Sequence, residues 1–203
     1  MSWTMKMATA LLAAVALVSV DASAAEAVTW HNFGDTAFTA TGGPVSLTVG
    51  ATTLACSGSS MAGTMSSAPF VGSTWAAASG TLTGTPCTLA GQNFHLGCAY
   101  TYTAVAVVAP VVIGVADLTC DFKLASSGTV LCHISGGTPV SYTNPSSPTK
   151  GRFTFLASSS LTIRNVANCP WGPGGSLGLG EFTQNITAGT GGGGLGPMFV
   201  RTA

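Results

Sequence analysis

Charge is what this chain lacks. Six Lys or Arg and six Asp or Glu stand among 203 residues, so charged side chains make up 6% of the total and cancel to zero. An ordinary soluble domain carries about 25%. Without a basic stripe the chain cannot displace counterions from phosphates, which excludes a nucleic-acid binder. The Glu, Lys, Arg and Gln that coat amphipathic helices are scarce too, which argues against a charged helix bundle. Disorder by charge is excluded in turn, because 46% of the residues are hydrophobic and can form a core. Long apolar runs are missing as well: none reaches the roughly 20 residues of a membrane-spanning helix. Gly, Thr and Ser are abundant instead, at 27, 28 and 21 residues. This uncharged polar texture bears on compartment and architecture far more than on chemistry.

Lys6, the apolar stretch Met7 to Val20 and the small residues Ala22-Ser23-Ala24 follow one another at the start. A positive residue, a short apolar run and an Ala-x-Ala site describe a secretory signal peptide. Residues 1–24 are therefore expected to be a leader, with cleavage after Ala25 nearly as suitable and an uncleaved anchor as the rival reading. The expected location is secreted or cell-surface, with no transmembrane anchor after cleavage. All six cysteines follow the leader: Cys56, Cys87, Cys98, Cys120, Cys132 and Cys169. An even number outside a reducing cytosol points to structural disulfides. No Cys-x-x-Cys pair is present and the spacings are 31, 11, 22, 12 and 37, which speaks against zinc. The sequence alone does not choose among the possible pairings.

The mature chain has the texture of strands. Val45 to Val49 alternates apolar and polar, Gly50-Ala51 interrupts, and Thr52 to Cys56 follows. A two-residue turn with Gly first suits a type II′ hairpin, placing Leu47 opposite Leu54 and Val45 opposite Cys56. From Val112 to Leu124 the even-numbered residues form an apolar face that includes Gly114. The odd face begins with Ile113 and Val115 and turns polar at Asp117, as in a strand leaving the interior for solvent. Ala125-Ser126-Ser127-Gly128 can turn the chain so that Thr129 to Ile134 returns, with Cys120 and Cys132 close enough in register to meet the precondition for a bridge. Val140 to Thr143 and Arg152 to Leu156 make a third hairpin, and Leu161-Thr162-Ile163 and Phe182 to Ile186 read as later strands. The apolar stretch Thr103 to Ala116 reads as two strand pieces meeting at Pro110, with a partly exposed adhesive edge as the alternative. Residues 189–203 read as a Gly-rich tail ending in Pro197-Met198-Phe199-Val200. The expected fold is thus all-β: a single antiparallel β-sandwich or partly open barrel over residues 25–188, stapled by disulfides.

Candidate chemistry is thin. Gly174-Gly175-Ser176-Leu177-Gly178 matches the G-x-S-x-G nucleophile elbow, but it lies in what reads as a Gly-rich loop and no His follows it. His31, His95 and His133 read as surface or hydrogen-bonded histidines. Asp117 and Asp121 point the same way on a strand and could hold calcium, although charges that discourage edge-to-edge aggregation are the better reading. Asn185-Ile186-Thr187 is a glycosylation sequon in a host that has the enzyme. Trp30, Trp75, Tyr100, Tyr102 and Tyr142 are expected in or beside the core. Trp171, between turns, is the candidate for contact with a ligand. No catalytic, cofactor or metal residue is expected.

Val45 to Cys56, preceded by Phe38-Thr39-Ala40-Thr41-Gly42, resembles the start of small exported bacterial proteins called "protein activator of alkane oxidation" and of related actinobacterial secreted hypothetical proteins. Val140-Ser141-Tyr142-Thr143-Asn144 and Leu161 to Cys169 are similar to later segments of that group. The resemblance implies a β-rich exported protein of the cell surface or biofilm matrix and implies no catalytic residues. The expected function is therefore structural or adhesive, with partners in the envelope, the matrix or other copies of the chain. Near-zero net charge favours such association, and addition of a strand at an exposed edge, with the tail beyond Gly189 as donor, is one mode. A binding module for carbohydrate or apolar small molecules is the alternative, and a secreted hydrolase the third.

Overall fold

Alternation along the chain sorts side chains to two faces, and each strand of this protein buries one of them. The computed structural model describes residues 28–66, 68–165, 168–172, 174–190 and 193–202. The leader expected over residues 1–24 lies outside the described residues. The strands are β1 (Thr29–Gly34), β2 (Ala37–Gly42), β3 (Val45–Val49), β4 (Thr52–Cys56), β5 (Ser59–Met65), β6 (Phe70–Val71), β7 (Trp75–Leu89) and β8 (Gln92–Val108). They continue as β9 (Val111–Leu124), β10 (Val130–Thr143), β11 (Arg152–Phe155), β12 (Ser158–Asn165), β13 (Ser176–Leu179), β14 (Phe182–Thr190) and β15 (Pro197–Thr202). The protein is all-β, as its composition implies.

Pairing closes the main sheet into a ring. β7, β8, β9 and β10 are long unbroken strands joined side by side. The other half consists of strands broken near their middles: β2 continues into β3, β4 into β5, β11 into β12 and β13 into β14. β5 and β4 both pair with β7, β11 and β12 both pair with β10, and β14 and β13 return to β2 and β3. Counted as staves, the ring is an eight-stranded antiparallel meander in which each stave pairs with its neighbours in sequence. The antiparallel, disulfide-stapled all-β fold expected as a sandwich or a partly open barrel has pairings that run right round, so among the described residues its main sheet has no free edge. A small sheet in the order β15, β1, β6 is hydrogen-bonded separately from it.

Eight staves leave an interior just wide enough for side chains to fill. At one end Phe94, Phe122, Leu47, Leu54, Ile134, Leu161 and Leu177 are buried, and at the other Trp30, Trp75, Tyr102, Tyr142, Phe153 and Phe199. Phe199 of β15 lies 5.7, 6.1 and 5.1 Å, ring centre to ring centre, from Trp75, Tyr102 and Tyr142. The small sheet therefore seats its own aromatics on those of the barrel. Each interior tyrosine also lies over a glycine: a Cβ would come within 2.1 Å of the Tyr100 hydroxyl at Gly63, 2.6 Å of the Tyr102 ring at Gly114 and 2.0 Å of the Tyr142 hydroxyl at Gly151.

The first hairpin has the expected register, Leu47 opposite Leu54 and Val45 opposite Cys56, with φ +57° at Gly50. The second differs. Cys120 faces Ile134 and Cys132 faces Phe122, because β10 enters with a bulge between Val130 and Cys132 that, with the turn, shifts the register by two residues. Cys120 instead meets Cys98 directly across β8 and bonds to it, while Cys132 bonds Cys169 and Cys56 bonds Cys87. Segment 189–203 is likewise not a free tail. Gly189 and Thr190 complete β14, and Pro197–Thr202 pairs with β1 along six residues.

Candidate interaction surface

With the interior filled, the outward-facing residues are where the ring meets anything else. Their charges are segregated. β2, β3, β4, β5, β7, β8, β13 and β14 carry no Asp, Glu, Lys or Arg, so five consecutive staves are nearly without charge; Glu181 stands at the break between β13 and β14, and His95 lies in β8. Their exposed positions are mostly hydroxyl and methyl groups, among them Thr39, Thr41, Ser60, Ala62, Thr81 and Thr101. Neighbouring hydroxyls bond across strands, Ser60 to Thr83 at 2.6 Å and Thr39 to Thr187 at 3.2 Å. Such pairs satisfy these hydroxyls within the wall.

At one end this wall becomes aliphatic. β8 and β9 meet at Ala109-Pro110, as the interruption of the apolar stretch implies. Around that tip Val105, Val108, Ile113 and Val115 are 41%, 65%, 47% and 38% exposed. The expectation that Ile113 and Val115 lie inside is overturned: period-2 alternation continues without a change of face, so the odd residues of β9 are outward from end to end. This strip is not a strand edge either, since β9 is paired on both sides. For the same reason Asp117 and Asp121 guard no edge.

Asp121 belongs to a small charged quarter. His133 Nδ1 lies 2.7 Å from Asp121 Oδ1, and Lys123 Nζ lies 3.3 Å from the other carboxylate oxygen. Register places Arg164 of β12 beside His133 and His95 of β8 beside Lys123. These side chains are solvated, which limits such pairs to about 0–1 kcal/mol each. Among the described residues no three His, Cys, Asp or Glu side chains group as metal ligands.

The remaining candidates are dispersed. Ser176 is exposed and begins β13, so the expected loop is a strand and no helix follows the Ser. Trp171 is half-buried, its ring 5.0 Å from Phe122, and its buried Nε1 has no hydrogen-bond partner among the described residues. Asn185 is exposed on the wall in β14. A shallow cleft of about 530 Å³ lies where β8 begins and β9 ends, lined by Gln92, Asn93, Leu124, Ala125 and Ser126. A second, of about 130 Å³, lies between Phe38 and Gly189. Neither contains a titratable side chain. The titratable groups with strongly altered protonation are inside: burial pushes the phenols of Tyr100, Tyr102 and Tyr142 well above their ordinary range.

Sequence reasoning missed Asp35. It is fully buried, and its carboxylate accepts from Gly194 N at 3.2 Å and Gly196 N at 2.8 Å. Its neighbours in sequence give no hint, because these two partners come from the Gly-rich segment near the other end of the chain. Compared with protein-family models, curated proteins and solved structures, the chain finds no match.

Proposed function

We propose that the mature chain is an exported, non-catalytic surface protein that acts through contact of its outer wall with other copies, the cell envelope or apolar material. Three disulfides among six cysteines agree with an oxidising, extracellular setting. The observation that carries the reading is the aliphatic strip of Val105, Val108, Ile113 and Val115, exposed beside a wall nearly without charge. Contiguous apolar surface on a soluble protein marks an interaction site, and a wall with so little charge offers little repulsion to another copy of itself. The strand segments that resemble exported bacterial proteins of the surface or matrix point the same way.

The test is adsorption. The mature protein and a Val108→Thr, Ile113→Thr, Val115→Thr variant are applied to apolar beads and to whole cells. Threonine keeps the β-branched shape suited to a strand, so the unfolding midpoint stays in place while retention falls several-fold. Equal retention by the variant, with equal stability, sinks the reading.

A further inference from the structure

Among the described residues, the pairing, ring contacts and side-chain hydrogen bonds that hold β15 come from residues that precede its own linker. It pairs with β1 from Thr29 opposite Thr202 to Gly34 opposite Pro197. Phe199 fills the socket of Trp75, Tyr102 and Tyr142. The Asn144 side chain stands in for a further strand, donating to Phe199 O at 2.8 Å and accepting from Phe199 N at 2.9 Å. Tyr142 donates its hydroxyl to Pro197 O at 2.6 Å. The socket is therefore complete in residues 28–190 and specifies strand direction, register and one aromatic anchor. The six residues joining β14 to β15 include five glycines, a composition with little steric preference for any one path. Two of these glycines, Gly194 and Gly196, are fastened by the Asp35 carboxylate.

We propose that β15 is exchanged between copies of this chain, the socket of one copy receiving the C-terminal strand of another, with Asp35 as the latch that favours the closed monomer. An exchanged strand keeps every contact of the socket and changes only the linker, so the balance depends on the linker and on concentration, as in domain swapping. Arg201 is the one charged residue of β15, so approaching copies meet little repulsion. Reciprocal exchange gives dimers and head-to-tail exchange gives longer chains. The inference is independent of the aliphatic strip, since exchange can occur whether or not the wall adheres to anything.

His31 and Val200 face each other across β1 and β15 and are partly exposed. Two full mature chains, one His31→Cys and the other Val200→Cys, are unfolded with their native disulfides intact, mixed and refolded together at high concentration. A disulfide linking position 31 of one chain to position 200 of the other, identified by mass spectrometry, is the expected product. Asp35→Asn in both chains raises its yield several-fold. The double variant His31→Cys, Val200→Cys in one chain serves as control for the geometry. If that control closes within the chain while the mixture forms no 31–200 link, exchange is ruled out. If the link forms with a yield indifferent to Asp35→Asn, the latch is ruled out.

Discussion

Tyr100, Tyr102 and Tyr142 show how much of this protein rests on single side chains set over single glycines. Each ring or hydroxyl occupies space that a Cβ would take, and each hydroxyl donates to a backbone oxygen: Ala62 O, Val112 O and Pro197 O. Burial is the cause of the raised protonation range at all three, joined at Tyr142 by the charges of Tyr102 and Asp35. A phenol with a raised folded-state value stabilises the fold at every pH below its unfolded value of about 10, and that contribution is lost as pH climbs beyond it. The tyrosines are therefore expected to ionise together with unfolding, in one steep alkaline transition seen both in tyrosinate absorbance and in circular dichroism. Three independent phenol titrations near pH 10 with the β signal intact would contradict their burial. Gly114 was legible as part of an apolar face, and a glycine in such a face signals close approach of another group. That the approaching group is Tyr102 required the β8–β9 register.

Strands formed by alternation and a tight turn were readable one at a time. β3 and β4 have the register implied by Gly50-Ala51, and β10 and β11 pair as expected, with Tyr142 opposite Phe153. Register failed at β9 and β10, where a bulge adds a residue that no apolar pattern announces. The disulfide pairing, which the sequence left open, depends on that register: Cys120 lies two residues out of step with Cys132, and its partner is Cys98 on the other side. The bridge from Cys132 to Cys169 ties β10 to the segment after β12 and closes a separation of 37 residues. Replacing both cysteines with Ala is expected to lower stability by about 3–4 kcal/mol, measured as a drop in the urea midpoint at unchanged slope. A variant as stable as the parent would show that the strand pairing beneath the bridge already confines that segment.

For the molecule as a whole, near-neutrality predicts how it responds to solution conditions. Five consecutive staves nearly without charge leave most of the electrostatics to the β9, β10 and β11/β12 side of the ring, and its pairs are solvated. Raising sodium chloride from low concentration to about 1 M, where the Debye length shrinks to about 3 Å, should leave adsorption to apolar beads undiminished. Sulfate should strengthen it by favouring apolar burial. A steep loss of adsorption with salt would locate the contact in the charged quarter rather than in the aliphatic strip. Composition made this neutrality plain, and it made the all-β class plain. The exposed side of Ile113 and Val115 was not, because an apolar run has the same letters whether a sheet covers it or solvent does.

The meander order has a consequence for how the chain comes together. Seven of the eight seams join staves that follow one another, so they can zip in the order of synthesis. The eighth joins β2/β3 to β13/β14, and the first stave must wait, its backbone groups unsatisfied along one flank, until Ser176 to Thr190 arrives. In this order of assembly the growing sheet keeps an unpaired margin until that stretch arrives, and closing the ring removes it.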